Sequence, residues 1–470
     1  MGGFFGVVSN EDCVNEVFFG TDYHSHFGTM RGGLAMRNHD GFTRFIHNIT
    51  NAQFRSKFED DLPKMNGNRG IGVISDNDNQ PLIIRSHLGT YAIVTVGVIQ
   101  NSEALAARLF KNKSTHFSEM LGSEISPTEL AATLVNEGAT FAEGLKNAQD
   151  SIEGSCSILL LTDEGIYAAR DKLGRTPIAI GRRTGAIAVT METCALPNLE
   201  YETSGYMGPG EIVLITEEGV EQKQVPGDRM QICSFLWVYY GYPASCYEGI
   251  NTEYVRNRCG SYLAKRDDIE IDIVAGIPDS GIGYASERGI PYRRPFVKYT
   301  PTWPRSFMPQ DQTMRDLVAK MKLIPIKELI QGKRLLFCED SIVRGTQLQD
   351  TIQRLFACGA TEVHMRPACP PLVYSCKFLN FSRSKSELDL AARKAIKELE
   401  GDGNKDLEIY ARQDSDKYPD MIERIEHRGL GICYAQMRDN KKACREYRIY
   451  LKMIPKDSKE VPTLKQILKS

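Results

Sequence analysis

Between Lys333 and Gln347 the chain reads KRLLFCEDSIVRGTQ, and few local sequences restrict a fold so narrowly. An apolar stretch, Leu335-Leu336-Phe337, runs into two acids, Glu339 and Asp340. Ser341 to Gly345 make a turn, and Thr346 opens a segment whose apolar residues Leu348, Ile352 and Leu355 recur at helical spacing. A strand that passes through a short turn into a helix belongs to a parallel sheet, and such sheets bind ligands beyond the carboxyl ends of their strands. The free amides and positive dipole end of the helix favour a phosphate there. Ser341, Arg344, Gly345 and Thr346 are the candidate contacts to it, and Glu339 and Asp340 stand one step earlier, placed to accept from a vicinal diol. A ribose 5-phosphate asks for that combination of donors and acceptors.

The surrounding pattern divides the chain. From Phe4 to about Val225, short apolar strands alternate with Gly- and Asn-bearing turns and a few helical stretches such as Ser102–Leu109 and Pro127–Glu137, an α+β layered pattern. After QVPGDR, Gln224–Arg229, apolar strands alternate with amphipathic helices, which implies α/β architecture with a parallel sheet. The expected organisation is 1–225, then 226–400, then a polar linker over 401–423 and a short helical unit over 424–470.

EDSIVRGT resembles the phosphoribosyltransferase signature in the form carried by the amidophosphoribosyltransferase family of purine synthesis, and other family segments follow in order. Ile277 to Gly281, IPDSG, resembles the loop that holds the pyrophosphate of phosphoribosyl pyrophosphate, which assigns substrate binding to Asp279, Ser280 and Gly281. Arg305 to Pro309, RSFMP, resembles the loop that closes over the substrate, with Arg315, Lys320 and Lys322 behind it and Lys298 matching a further basic position. The resemblance therefore implies a type I phosphoribosyltransferase domain, catalytic roles for Arg305 and Lys298, and Mg²⁺ near Ser280, Glu339 and Asp340. The family's usual acidic pair is Asp-Asp, whereas this chain has Glu339-Asp340.

GGFFGV, residues 2–7, resembles the family's start, where an N-terminal cysteine uses its own α-amine as base to attack glutamine. Here that position is Gly2. Three further positions differ from the family's glutamine site: Ser75-Asp76 stand near the place of an arginine, Val96 replaces the oxyanion-hole amide beside Gly97, and Pro127 replaces an acid that binds the glutamine amine. Cys13 is the nearest thiol and lies too far along to use a terminal amine. Arg31–Gly33, Ala169–Gly181 and Gly208–Val213 still match the scaffold, so the first domain is expected to be a degenerate N-terminal-nucleophile-hydrolase fold.

Some family members hold an iron–sulfur cluster on four cysteines. Cys233 and Cys376 match two of these positions and no terminal Cys-x-x-Cys follows, so no cluster is expected. The end of the chain instead carries Leu430-Gly431, Tyr434, Ala443, Tyr447 and Pro455 at tetratricopeptide spacing, a single copy suited to a protein partner or to capping. Composition bears on the remaining classes. Lys+Arg 58 against Asp+Glu 60 argues against bulk nucleic-acid binding, and 12 cysteines in 470 residues fit a reducing, cytoplasmic setting rather than a disulfide scaffold. Apolar runs such as Ile93–Ile99 are of strand length, so no membrane segment is expected.

The resulting expectation is a transferase forming 5-phosphoribosylamine from phosphoribosyl pyrophosphate and free ammonia. A homo-oligomer and purine nucleotide regulators are expected with it. Two alternatives stand beside it: a non-catalytic paralogue that binds the same substrate or purine nucleotides and regulates a partner, and a phosphoribosyltransferase with another nucleophile.

Overall fold

The computed structural model describes residues 2–111, 116–121, 124–276, 282–298, 323–344, 346–379 and 386–425. The described residues divide into two compact units, the first comprising 2–253 together with 377–379, the second the remainder. No helix among the described residues is long and apolar enough to cross a membrane.

The first unit is built on two antiparallel sheets. The seven-stranded sheet has the spatial order Glu202–Tyr206, Ala179–Arg183, Ala186–Thr190, Gly2–Ser9, Arg69–Ser75, Arg31–Asn38, Gly41–Asn48. The six-stranded sheet runs Val220–Gln224, Ile212–Ile215, Ile166–Ala169, Gly154–Leu161, Gly89–Ile99, Leu82–Ser86. All eight residues of the first strand are buried, because it is central in one sheet and faces the other: a Cβ on Gly6 would touch Ile166 of the opposite sheet. Helix Val14–Asp22 covers the outer face of the first sheet through Val14, Val17 and Phe18, and helices Pro127–Val135 and Phe141–Ser151 cover the second through Leu130, Leu134, Leu145 and Ala148. The layering is helix, sheet, sheet, helix, as the α+β pattern implied.

This unit extends through Glu253 rather than ending near Val225. The reason is a buried carboxylate. Glu192 is fully buried and accepts from Tyr242 N at 2.6 Å and Tyr247 Oη at 2.7 Å, while Arg170, also fully buried, pairs with Glu248 at 2.8 Å. Leaving either charge unpaired would be costly, so the segment that supplies the partners is held in place.

The second unit contains a three-stranded parallel sheet in the order Ile273–Gly276, Arg334–Glu339, Glu362–Pro367. Both faces are covered: Val274, Leu336 and Cys338 pack with Tyr284 and Ala264 on one side, while Ile273, Ala275, Leu335 and Phe337 pack with Leu355 and Ile330 on the other. That explains why Ile273–Gly276 and the Leu335-Leu336-Phe337-Cys338 part of the middle strand read as continuous apolar runs.

Residues 401–423, expected as a linker, are packed instead. Tyr410 and Met421 join Val373, Ala392, Ala395 and Ile396 in a buried cluster, and the polar residues between them form ion pairs, Lys417 to Glu400 and Asp406, each at 2.6 Å. The two lysines on Glu400, Lys417 and Lys405, with Tyr410, hold its carboxyl down at about 2. Of the tetratricopeptide-like unit expected over 424–470, residues 426–470, with all of its motif positions, lie outside the described residues.

Candidate functional site

Strand Arg334–Glu339 is the middle strand of the parallel sheet, and its last residue and the next are the two acids. The backbone there is pinned by the neighbouring strand's exit, with Ala368 N donating to Glu339 O at 2.8 Å and Cys369 N to Asp340 O at 2.9 Å. Ser341, itself buried, donates from Oγ to Asp340 Oδ2 at 2.9 Å, and Val343 O accepts from Ala391 N at 2.9 Å. Arg344 is exposed, and Thr346 opens helix Thr346–Ala357 directly afterwards. The structure thus brings Glu339, Asp340, Ser341 and the helix start to one end of the sheet, as the motif implied.

Burial pushes the Glu339 carboxyl up to about 7, with the charge of Asp340 adding to it. Asp340 is also raised by burial, against the opposing Ser341 hydrogen bond and the positive charge of Arg256. Arg256 lies on helix Thr252–Ala264 and carried no signal in the sequence, where it is one of two arginines on a tyrosine-bearing helix. Two adjacent half-buried acids, both with raised proton affinity, form a site that a cation would relieve.

Register bears on where the chain enters the segment read as the pyrophosphate loop. Gly276 pairs with Cys338, so the chain leaves strand Ile273–Gly276 toward residues 277–281 from beside the acid pair. Asp279, Ser280, Gly281, Arg305, Lys320, Lys322 and Gly345 lie outside the described residues, as does Arg315. Lys298 ends strand Phe296–Lys298, which pairs antiparallel with Leu323–Pro325.

In the first unit, the position expected to lack a nucleophile also lacks room for one. Gly2 pairs with Ser75, and a Cβ on Gly2 would lie 2.3 Å from Ile74 O; a Cβ on Gly3 would lie 2.6 Å from His24 Cδ2. Asp76 accepts from Thr29 N at 2.6 Å and Ser75 Oγ accepts from Asn77 N at 3.1 Å. Val96 is part of the core. Gly97, at φ +142°, must be glycine, since a Cβ would lie 1.7 Å from Ser155 O. Cys13 is buried ahead of helix Val14–Asp22, and burial drives its thiol pKa far upward, the opposite of an activated nucleophile.

A residue absent from the sequence reading fills the amino end of the helix that Pro127 opens. Asp78, almost fully buried, accepts from Ser126 Oγ at 2.6 Å, Thr128 N at 3.0 Å and Gln80 Nε2 at 2.7 Å. Gln80 Oε1 in turn accepts from Thr95 N at 2.7 Å. The helix dipole's positive end is therefore already matched by an internal carboxylate. The run DNDNQ reads as an ordinary turn, which hides this role.

Cys233 and Cys376 are both half-buried and fall in different compact units. Among the described residues no group of three or more His, Cys, Asp or Glu side chains is close enough to hold a metal.

Comparison with known proteins bears on both units. A glutamine amidotransferase domain family matches residues 68–198. The amidophosphoribosyltransferase of Methanocaldococcus jannaschii is 30% identical over 431 residues, covering 85% of this chain and 90% of the relative. That of Bacillus subtilis is 29% identical, covering 84% and 85%. Among solved structures, the glutamine phosphoribosylpyrophosphate amidotransferase of B. subtilis complexed with ADP and GMP superposes with a TM-score of 0.75 at 28% identity, covering 84% of this chain and 88% of that one. A structure described as the allosteric regulatory enzyme of purine biosynthesis gives the same TM-score. With two units of the expected architecture and this extent of similarity along both, the chain belongs to the amidophosphoribosyltransferase family.

Proposed function

We propose that this chain is a phosphoribosyl pyrophosphate-dependent transferase that forms 5-phosphoribosylamine from free ammonia, and that its first unit hydrolyses no glutamine. The observation that carries the second half is the packing at Gly2, where a Cβ would collide with Ile74 O. Support for the first half is the preserved acid pair at the carboxyl end of the parallel sheet together with the family relationship.

In this reading Glu339 and Asp340 accept hydrogen bonds from the ribose hydroxyls, and the amides at the start of helix Thr346–Ala357 receive the 5-phosphate. Asp279, Ser280 and Gly281 hold the pyrophosphate, with Lys320 and Lys322 adding positive charge. Arg305 and its loop exclude water, the competing nucleophile, and Lys298 is the second catalytic basic residue. Ammonia attacks C1: the C1–N bond forms, the C1–O bond to pyrophosphate breaks with its electron pair, and the resulting ammonium group gives a proton to solvent. The acid pair fits Mg²⁺, which with Ser280 would neutralise the leaving group's charge when bound. No iron–sulfur cluster is proposed on Cys233 and Cys376. Purine nucleotides are the proposed regulators, since the B. subtilis relative was solved with ADP and GMP. A cytoplasmic homo-oligomer with a partner-docking role for residues 424–470 completes the reading.

The test is pyrophosphate release with ammonium supplied, compared with glutamine supplied. Ammonia reacts as the neutral base, whose fraction rises about tenfold per pH unit on the acid side of its pKa, so release at fixed total ammonium should climb steeply between about pH 7 and 8.5. Glutamine should not substitute. No release above a no-enzyme blank at any pH, with binding retained, would instead favour the non-catalytic binding protein, and release only with another amine a transferase using that amine.

A further inference from the structure

Helix Thr252–Ala264 carries its two arginines on opposite sides. Tyr254, Arg258 and Tyr262, four residues apart, form an exposed stripe in which the Arg258 guanidinium lies 5.7 Å from the centroid of each tyrosine ring. Two residues on from each of these, about half a turn round the helix, stand Arg256, Gly260 and Ala264. Gly260 and Ala264 are buried, and Arg256 is half-buried at the amino-terminal end of their stripe.

Two glycines fix what this inner stripe meets within the second unit. A Cβ on Gly260 would lie 2.7 Å from Tyr284 N, and one on Gly283 would lie 2.0 Å from Asn257 O, so the helix crosses the start of helix Ile282–Arg288 backbone against backbone. Ala264 shares a buried cluster with Ile271, just ahead of strand Ile273–Gly276, whereas Asn257 meets Gly283, past the strand's end. The helix therefore runs back along the strands, and Arg256 stands at their carboxyl ends. The same cluster holds Leu336 and Cys338 of the middle strand, and alternation carries that face on to Asp340, whose carboxyl feels the Arg256 charge. Helix Thr346–Ala357 packs on the other face, through Leu355 with Leu335 and Phe337. Arg256 is thus on the side of the sheet where the chain emerges from residues 277–281, and away from the helix whose start is read as the 5-phosphate site.

We propose that Arg256 is a substrate-binding residue of the transferase site, and that its guanidinium donates to the pyrophosphate of phosphoribosyl pyrophosphate and not to the 5-phosphate. The proposal rests on the reading that the acid pair receives the ribose of that substrate. Arginine suits the position because its planar fork can hold two phosphate oxygens at once, and because a cation beside Glu339 and Asp340 offsets their repulsion of an incoming polyanion.

The experiment is calorimetric binding of three probes to the full-length chain with Mg²⁺: phosphoribosyl pyrophosphate, inorganic pyrophosphate and ribose 5-phosphate. Arg256→Gln should weaken the first two by about ten- to a hundredfold, as expected for the loss of a charge-assisted contact, and leave ribose 5-phosphate within about twofold. Retained ribose 5-phosphate binding would also show that the variant is folded. Should Arg256→Gln not fold, Arg256→Lys, which keeps the charge but not the fork, carries the same comparison with a smaller loss. Arg258→Gln, on the outer stripe of the same helix, should bind all three probes as the wild type does. Unchanged pyrophosphate affinity in Arg256→Gln would overturn the proposal. So would an equal loss of ribose 5-phosphate at an unchanged melting temperature, because Arg256 would then act only through Asp340. A chain that binds pyrophosphate through Arg256 but releases none from phosphoribosyl pyrophosphate with ammonia would refute the assigned activity and leave the Arg256 contact standing.

Discussion

Position 2, where the family resemblance puts a cysteine, holds a glycine packed against the neighbouring strand. With Ile74 O 2.3 Å from any Cβ, Gly2→Cys must displace either the first strand or its neighbour, and overpacking of this kind costs about 1–3 kcal/mol. The expected outcome is a lower melting temperature by calorimetry and glutamate release no higher than a no-enzyme blank. Val96, Pro127 and the internally engaged Asp76 would still leave glutamine unheld. At the other site, Asp340→Asn keeps the side chain's shape and removes a charged acceptor. Hydrogen bonds to charged groups contribute about 1.5–3 kcal/mol, so affinity for phosphoribosyl pyrophosphate with Mg²⁺ should fall roughly ten- to a hundredfold by calorimetry. Unchanged binding would mean that the ribose lies elsewhere.

Helix Val14–Asp22 is tied to strand Ala186–Thr190 through His24, whose Nδ1 donates to Gly20 O at 2.8 Å while Nε2 lies 3.1 Å from Thr190 Oγ1. Complete burial lowers this imidazole to about 4, outweighing the attraction of Glu192, with His26 adding a smaller push in the same direction. Between about pH 6.5 and 4 the unfolded chain takes up a proton that the folded one refuses. The contribution to stability is therefore complete above about 6.5 and declines as pH falls, by up to about 1.4 kcal/mol per unit. Urea midpoints measured across that range should show the decline, and His24→Gln should flatten it. Elements differ in how well the sequence announces them. Strand Arg334–Glu339 and its helix were legible because a short apolar run, two acids and a helical apolar stripe follow one another without a competing pattern. The packed state of 401–423 was not, because its two core residues, Tyr410 and Met421, are separated by ion-paired polar residues that look like solvent-exposed ones. Asp78 and Arg175, which stacks on Phe378, were invisible for a related reason: each acts on segments distant in sequence, and no local periodicity reports such a bond.

At the scale of the whole molecule, the segment 377–379 makes the first unit discontinuous in the chain. Proteins are synthesised from the amino end, and domains tend to fold as they emerge. Here the first unit can lay down both sheets once Val220–Gln224 has appeared, yet Gln100, Ser155 and Arg175 must wait for the chain to return before they meet Lys377 and Phe378. A fragment ending at Glu253 should therefore fold with a lower denaturation midpoint than the same unit in the full chain, and a peptide spanning residues 370–385 supplied in trans should raise it, as any ligand of the folded state does. On the ribosome, the first unit would spend the translation of the second as an unfinished protein, with the docking place for its last strand-side segment open to other extended chains.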